Sequence, residues 1–259
     1  MQIMSEHTKF AHLGKPGTAF SAGFARRLEL ITKLVDLRDK KIVDVGCGEG
    51  VWLNQFAKFT AKENVFGSDL DPESLAIAKQ NSNLDPQNLV QSPAEELPWD
   101  DDTFDIVFSN EVLEHVTYND QSVAEAVRVL RPGGKFIIFT PNRGWPFETH
   151  GMFWRGKYYW GNIPLLPWLP KFISKKFAPH VRNYSNGEIR RLFKGLSVKI
   201  IHHSHVFPGF DGMVRRFGIF GVLVQRIFHI LEKTPLHFFG ISHFLIVEKL
   251  APDQSQGND

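Results

Sequence analysis

The run Lys41-Ile-Val-Asp-Val45 leads directly into Gly46-Cys47-Gly48-Glu49-Gly50, and this junction restricts the fold more than any other part of the chain. A short β-branched run, three glycines at alternate positions and a helix-forming stretch over 51–60 make a strand–turn–helix unit. Glycine bends the backbone through positive φ at little cost and lets the main chain approach a ligand with no Cβ in the way. The helix beyond the turn begins with free N–H groups. Nineteen residues after Gly50, Asp69 ends a second short strand, Asn64–Asp69. A carboxylate there can accept hydrogen bonds from both hydroxyls of a ribose.

The same rhythm continues. Helices are expected over Phe20–Leu37, Pro72–Asn81 and Gln121–Leu130, and strands over Leu89–Gln91, Phe104–Ser109 and Lys135–Thr140. Strands alternating with helices of this length build parallel βαβ units. Strands apolar on both faces fit a sheet covered on both sides. After Thr140 the pattern breaks. Residues 143–182 are rich in Trp, Tyr, Pro and Gly without a clean period. A helix with a Ser185–Glu188 capping box follows over Ser185–Phe193, then a strand over Val198–His205, an apolar and partly helical stretch over 212–233, and a last strand, Phe244–Val247. The expectation is α/β: one Rossmann-like, doubly wound, mostly parallel seven-stranded sheet over residues 1–259. Its core spans about 20–142 and 183–250. A helical, aromatic-rich cap is inserted over about 143–182 and 207–240.

Composition excludes several classes. With 42% apolar and 22% charged residues, the chain is neither disordered nor low-complexity. A single cysteine, Cys47, excludes an internal disulfide framework and a multi-cysteine zinc site. The first residues (MQIMSEHTKF) lack an apolar stretch, so no signal peptide is expected. The longest uncharged apolar run, Phe217–Val224, is eight residues, against ~20 for a spanning helix. A cytoplasmic protein, membrane-associated at most, is the expectation. The net charge of +2 hides a division: residues 143–240 hold 15 Lys/Arg against 4 Asp/Glu, and the remainder 15 against 24.

The loop is G-x-G-x-G rather than the G-x-G-x-x-G of dinucleotide folds. Asp44 stands just before it and Glu49 within it. Two carboxylates would repel a pyrophosphate but suit a ligand with a sulfonium and an ammonium group, which favours S-adenosylmethionine over a nicotinamide dinucleotide. In these residues the chain resembles the class I S-adenosylmethionine-dependent methyltransferases of the type 11 family. Asp44–Gly50 is similar to the family's first motif and Val65–Leu75 to its second. Ala94-Glu95-Glu96-Leu97-Pro98 followed by Phe104-Asp105 is similar to its third, and Arg131-Pro-Gly-Gly134 to a further hallmark. The resemblance implies that Asp44, Gly46, Cys47, Gly48 and Gly50 shape the methionine pocket and that Asp69 holds the ribose. It also places Leu70, Ala94 and Glu95 at the adenine, Asn110 beside the cofactor and the last strand antiparallel. Pro93 stands where the family commonly has Asp.

Acceptor-side candidates follow the fourth strand. Glu111, Glu114 and His115 stand at i, i+3 and i+4, so one helical face would present all three. Such a trio can supply a general base or hold a divalent cation. The phrase is similar to one in ubiquinone-pathway O-methyltransferases, yet acids at a helix start also serve structure; no metal is assigned. His180, Arg182 and Tyr184 form a second group, with Arg182 suited to an anionic acceptor and Tyr184 to a pocket wall. They could equally anchor the following helix. His202, His203 and His205 are expected to be structural or solvent-facing, with His203 pointing opposite to the other two.

The resemblance implies methyl transfer to oxygen on a small or lipid-like acceptor. The basic aromatic insertion suits either a cap over the pocket or a peripheral membrane contact. Nucleic acid is not the expected partner, although RNA methylation remains an alternative, as does a non-catalytic cofactor- or membrane-binding protein.

Overall fold

The computed structural model describes residues 21–251; the readings made for 1–20 and 252–259 lie outside them. In chain order the core begins with α1 (Ala22–Leu34), whose N-cap Ser21 accepts from the Phe24 amide at 3.3 Å. It continues through β1 (Ile42–Val45), α2 (Val51–Phe56), β2 (Val65–Asp69), α3 (Pro72–Asn81), β3 (Leu89–Gln91), β4 (Phe104–Asn110), α4 (Asn119–Arg128) and β5 (Leu130–Pro141). The first insertion carries β6 (Phe147–Glu148), β7 (Met152–Trp154), β8 (Lys157–Tyr159), β9 (Ile163–Pro164) and α5 (Lys171–Phe177). Next come α6 (Asn186–Arg191), β10 (Val198–Val206), α7 (Asp211–Phe217), α8 (Ile219–Leu231) and β11 (Ser242–Lys249).

Seven strands form one sheet in the order β10-β11-β5-β4-β1-β2-β3. β1 pairs in parallel with β2 and β4, β2 with β3, and β4 with β5. β11 runs antiparallel to both β5 and β10. The expected doubly wound, mostly parallel sheet is therefore present, and its last strand is reversed. Successive residues feed opposite faces. Ile42, Ile106, Ile137, Phe244 and Ile246 join Ile31 of α1, Trp52 and Phe56 of α2 and Leu75 of α3 on one side. Val43, Val107, Ile138, Leu245 and Val247 join Val123 of α4 and Ile189 of α6 on the other. Strands apolar at every position are the consequence of that two-sided burial.

The cap departs from the helical expectation in its first half. β6 pairs with β9 and β7 with β8, both antiparallel. Between β7 and β8 stand Arg155 (φ 49°) and Gly156 (φ 77°). Two consecutive positive-φ residues are what a tight two-residue hairpin requires, and the flanking aromatics favour strand over helix. The second half, α7 and α8, is helical. Trp145 packs on Phe207, Phe153 on Tyr158 and Trp154 on Phe177, whereas Trp160, Trp168 and Phe172 remain exposed.

The histidines of β10 are arranged differently from the sequence expectation. A register shift between Ile200 and His202 puts His202 beside Phe244 on one face. His203 and His205, two residues apart, share the other face with His243.

Phe108 at the sheet centre is fully buried. Its ring lies 4.7 Å from Trp52, 5.1 Å from Phe56 and 6.3 Å from Phe139. Phe108→Ala is expected to lower stability by about 3–5 kcal/mol, the cost of a large cavity in a core that cannot collapse. Urea unfolding of the variant checks this; a loss below 1 kcal/mol contradicts the packing described.

Candidate active site

The glycine turn lies at the carboxyl end of β1. Gly46, Gly48 and Gly50 have φ of 76°, 51° and 84°, so each occupies the region that glycine favours. The carbonyl of Ser68 in β2 accepts from the amides of Gly46 (2.7 Å) and Cys47 (2.9 Å), which fastens the turn to the neighbouring strand. A Cβ on Gly46 would lie 2.3 Å from Val112 Cγ2, while nothing lies within 4 Å of one on Gly48. Backbone is thus bare toward open space at Gly48, as close approach of a ligand requires.

Two carboxylates border this turn. Asp44 is 1% exposed, and neither of its oxygens has a hydrogen-bond partner. Burial first, and then the Asp69 charge, pushes its pKa well above the usual carboxylate value. An orphaned buried carboxylate is costly, and a cationic ligand is the group that would relieve it. Asp69 at the end of β2 accepts from the Gly48 amide at 2.8 Å and the Asp71 amide at 2.9 Å. Burial raises its pKa and those amides oppose the rise. Leu70 beside it is 66% exposed and Ala94 is buried. The Glu95 carboxylate accepts from the Thr117 and Tyr118 amides at 2.8 and 3.1 Å, tying the third motif to the turn before α4. Cys47 is buried beneath the loop. Burial, Asp44 and Asp69 push its thiol pKa up.

Residues 111–118 form a turn rather than the expected helix, and α4 starts only at Asn119. The break is at Glu111, a non-glycine residue with φ 57°. Its carboxylate accepts from Arg27 Nη2 and from Ser242 Oγ, each at 2.7 Å. Arg27 also donates to Asn110 Oδ1, so α1, β4 and β11 meet at one guanidinium. Burial opposes ionisation of Glu111, but the charges of Arg27 and His150 and the Ser242 hydroxyl outweigh it and hold the pKa at about 2. Glu114 is fully buried and takes one bond from Thr140 Oγ1 at 3.0 Å. Burial, and then the Glu111 charge, pushes its pKa well above the carboxylate range. His115 lies with Nε2 3.9 Å from Glu114 and Nδ1 3.3 Å from the His180 carbonyl.

The first insertion closes on this turn. Glu148, 1% exposed, accepts from the His150 amide and from His150 Nδ1, each at 2.9 Å, and from Asn183 Nδ2 at 2.5 Å. Tyr158 Oη and His180 Nε2 lie 2.5 and 3.1 Å from the His150 carbonyl. His150 is therefore fixed at both ends of its backbone unit, and its ring stands 5.3 Å from that of His115. Burial pulls its pKa down, but the bond and charge of Glu148 outweigh burial and hold it above the usual 6.5. Glu114, His115 and His150 each offer an atom within 4.8 Å of the others; a divalent cation there would have to displace the proton that Glu114 retains.

His180, Arg182 and Tyr184 all make contacts that hold backbone around this turn. His180 is buried and serves His150. Arg182 donates to the Val116 and Thr117 carbonyls. Tyr184 donates to the Leu113 carbonyl at 2.8 Å, and burial first pushes its pKa up to about 12. Arg182 and Tyr184 line a cleft of about 290 Å³ with Arg143, Lys175 and Glu148, but their polar groups hold the 113–117 turn. Arg27 and Ser242 carried no sequence signal, because they meet Glu111 only through the fold; Glu148 and His150 stand two residues apart in a stretch with no clean period.

A parallel sheet in this strand order, with a glycine turn after β1 and a carboxylate at the end of β2, is the arrangement of the class I S-adenosylmethionine-dependent methyltransferase fold. Residues 43–138 match the family model described as a methyltransferase domain. Over 102 residues it is 34% identical to the phthiotriol/phenolphthiotriol dimycocerosates methyltransferase of Mycobacterium tuberculosis, covering 39% of this chain and 38% of that protein. Over 123 residues it is 36% identical to the ubiquinone biosynthesis O-methyltransferase of Nitrosococcus oceani, covering 45% and 50%. The alignments thus span half or less of these curated relatives. The S-adenosylmethionine-dependent methyltransferase of Mesorhizobium loti shares the fold, with a TM-score of 0.58 at 18% identity over 88% of this chain and 98% of that one.

Two outcomes follow from the geometry. Gly46→Ala is expected to abolish cofactor binding in calorimetric titration, because the new Cβ is strained at φ 76° and collides with Val112; binding within twofold of the parent contradicts it. The Glu111 carboxylate is held far below its ordinary value, so its stabilisation is present above about pH 4.5 and lost as pH falls toward 2. Glu111→Gln should therefore lower the Tm at pH 7 and make little difference near pH 2.

Proposed function

We propose that the protein transfers a methyl group from S-adenosylmethionine to an oxygen of a lipid-like, amphiphilic acceptor. The observation that carries the cofactor side is Asp44, a buried carboxylate with no partner on either oxygen, beside the open backbone of Gly48. When bound, S-adenosylmethionine supplies an electrophilic methyl group on a positively charged sulfur. Asp44 faces the positive charge across the loop, Asp69 takes the ribose, and exposed Leu70 with buried Ala94 encloses the adenine. The names of the two curated relatives support methyl transfer, and that of the second supports oxygen as the acceptor atom.

An alcohol or phenol oxygen needs a base as its proton leaves. His150 supplies it. Glu148 accepts the Nδ1–H, which leaves the Nε2 lone pair to take the acceptor proton. Glu111 stays ionised nearby and stabilises the imidazolium that results. Proton transfer requires neutral His150, so activity rises with pH through a midpoint above 6.5. Glu148→Gln removes the group that raises this pKa and should move the midpoint down. A midpoint unchanged in Glu148→Gln removes His150 from this role.

The lipid-like acceptor rests on the cap surface. On α8, Ile219 (89%), Phe220, Leu223, Ile227 and Ile230 are all exposed, and Leu236, Phe238, Phe239, Trp168 and Phe172 add further exposed apolar surface. The rings of Trp168 and Phe239 lie 6.4 Å apart, which joins the two halves of the cap. Exposed Arg215, Arg216, Arg226 and Lys233 accompany this surface. An apolar helix face with basic residues beside it suits an anionic membrane surface. No helix among the described residues is long and apolar enough to cross a membrane.

The first test supplies methyl-labelled S-adenosylmethionine and a cell extract separated into lipid, soluble-metabolite and RNA fractions. Label in the lipid fraction is expected. Label in the RNA fraction instead overturns the acceptor class, and cofactor binding without label in any fraction favours a non-catalytic protein. The protein should also cosediment with phosphatidylserine vesicles at low salt and release at high salt, each basic residue contributing about 1 kcal/mol; no binding at low salt removes the membrane contact.

A further inference from the structure

We propose that the chain binds one divalent transition ion of the zinc class at the edge of the sheet, through His203, His205, His243 and His237. This site is separate from the glycine loop and does not depend on the methyl-transfer reading. His203 and His205 of β10 share one face with His243 of β11, and each of the three offers a nitrogen within 4.8 Å of the other two. The fourth imidazole comes from the second insertion: His237 Nδ1 lies 2.9 Å from His205 Nδ1. A tetrahedral ion with bonds of ~2.0–2.1 Å needs its ligand nitrogens roughly 3.3 Å apart, so modest ring rotations form the site.

The hydrogen bonds of the two innermost rings already prepare them as ligands. His205 is 2% exposed, and its Nε2 donates to Asn186 Oδ1 at 2.8 Å. His243 is fully buried, and its Nε2 donates to the Tyr184 carbonyl at 2.8 Å. A neutral ring that donates from one nitrogen presents a lone pair at the other, so both aim Nδ1 into the cluster. Fixing the remote N–H on an oxygen is the usual support of a metal-bound histidine. Burial holds His203, His205 and His243 well below the usual histidine pKa, so they stay neutral, the form that ligates.

The two outer rings cover those lone pairs without the ion. His203 Nε2 lies 3.0 Å from His243 Nδ1 and donates to it, and His237 Nδ1 donates to His205. His203 Nδ1 accepts from Arg190 Nε at 2.9 Å. Arg190 is exposed and can swing away, which lets His203 carry its proton on Nδ1 and ligate through Nε2. An all-imidazole set suits zinc, copper or nickel and disfavours magnesium or calcium, which prefer oxygen. The ion would join the edge strand, the last strand and the turn after α8, and so fasten the membrane-facing half of the cap to the sheet.

The experiment titrates the untagged full chain with Zn²⁺ by calorimetry and records the visible bands of the Co²⁺ form. One ion per chain, tetrahedral Co²⁺ bands and no competition from Mg²⁺ are expected. His237→Gln and His243→Gln should each weaken binding by at least about tenfold. His202→Gln, on the opposite face with its Nε2 2.8 Å from Ser204 Oγ, should leave it unchanged. Should His243→Gln fail to fold by circular dichroism, His237→Gln, in a partly exposed turn, decides alone. Absence of binding with excess metal overturns the proposal. So does unchanged affinity in His237→Gln.

Discussion

The Glu111 carboxylate is the interaction on which the arrangement of this site depends. It holds its charge in a largely enclosed place because Arg27 and Ser242 reach it from α1 and β11. Without that pair, a residue forced to φ 57° would have no reason to stay there. With it, the chain leaves β4 at a sharp angle, and Val112 lies against Gly46, Glu114 against Thr140 and His115 against the insertion. Burial first, and then the ionised state of Glu111, keeps Glu114 protonated. One cation on the first described helix thus fixes the geometry and the proton inventory of a turn 84 residues away.

The sheet divides the work. Its parallel half carries the glycine turn and two aspartates at the ends of β1 and β2, within a short stretch of sequence. The proposed acceptor side is assembled from distant pieces: the turn after β4, the insertion after β5 and the segment leading into α6. Glu148 illustrates the difference. It is a single acid in a basic, aromatic stretch, yet it is buried with three donors around it, and it orients a histidine two residues on. That cost of burying a carboxylate is met only because every lone pair it turns inward finds a donor.

The legibility of the chain followed that division. The strand–turn–helix units and the places of Asp44 and Asp69 could be read from periodicity, glycine spacing and motif, because local sequence dictates them, whereas the reversed last strand was implied by the family resemblance alone. The 111–118 turn could not: its residues fit a helix by spacing, and a guanidinium from α1 overrides that preference. The β-ribbons of the first insertion were concealed for a similar reason, since Arg155-Gly156 is a turn signal only once the flanking aromatics are known to pair. The histidines of β10 were misassigned to faces because residues two apart on a strand share a face, and the bulge at Ile201 re-phased the strand before them. Arg27 shows the general limit, since its partners Asn110, Glu111 and Ser242 all lie more than 80 residues away.

The place of Cys47 has a practical consequence. It is the only thiol in the chain, and it fits where it does because Gly67 leaves room: a Cβ there would come within 2.9 Å of its sulfur. Kept protonated first by its burial under the loop and then by two aspartates, it is shielded from alkylating reagents for as long as the loop stays closed. Its modification rate is therefore a clock for loop opening, readable by mass spectrometry without labels or engineered residues, and slowed by whatever ligand holds the loop down.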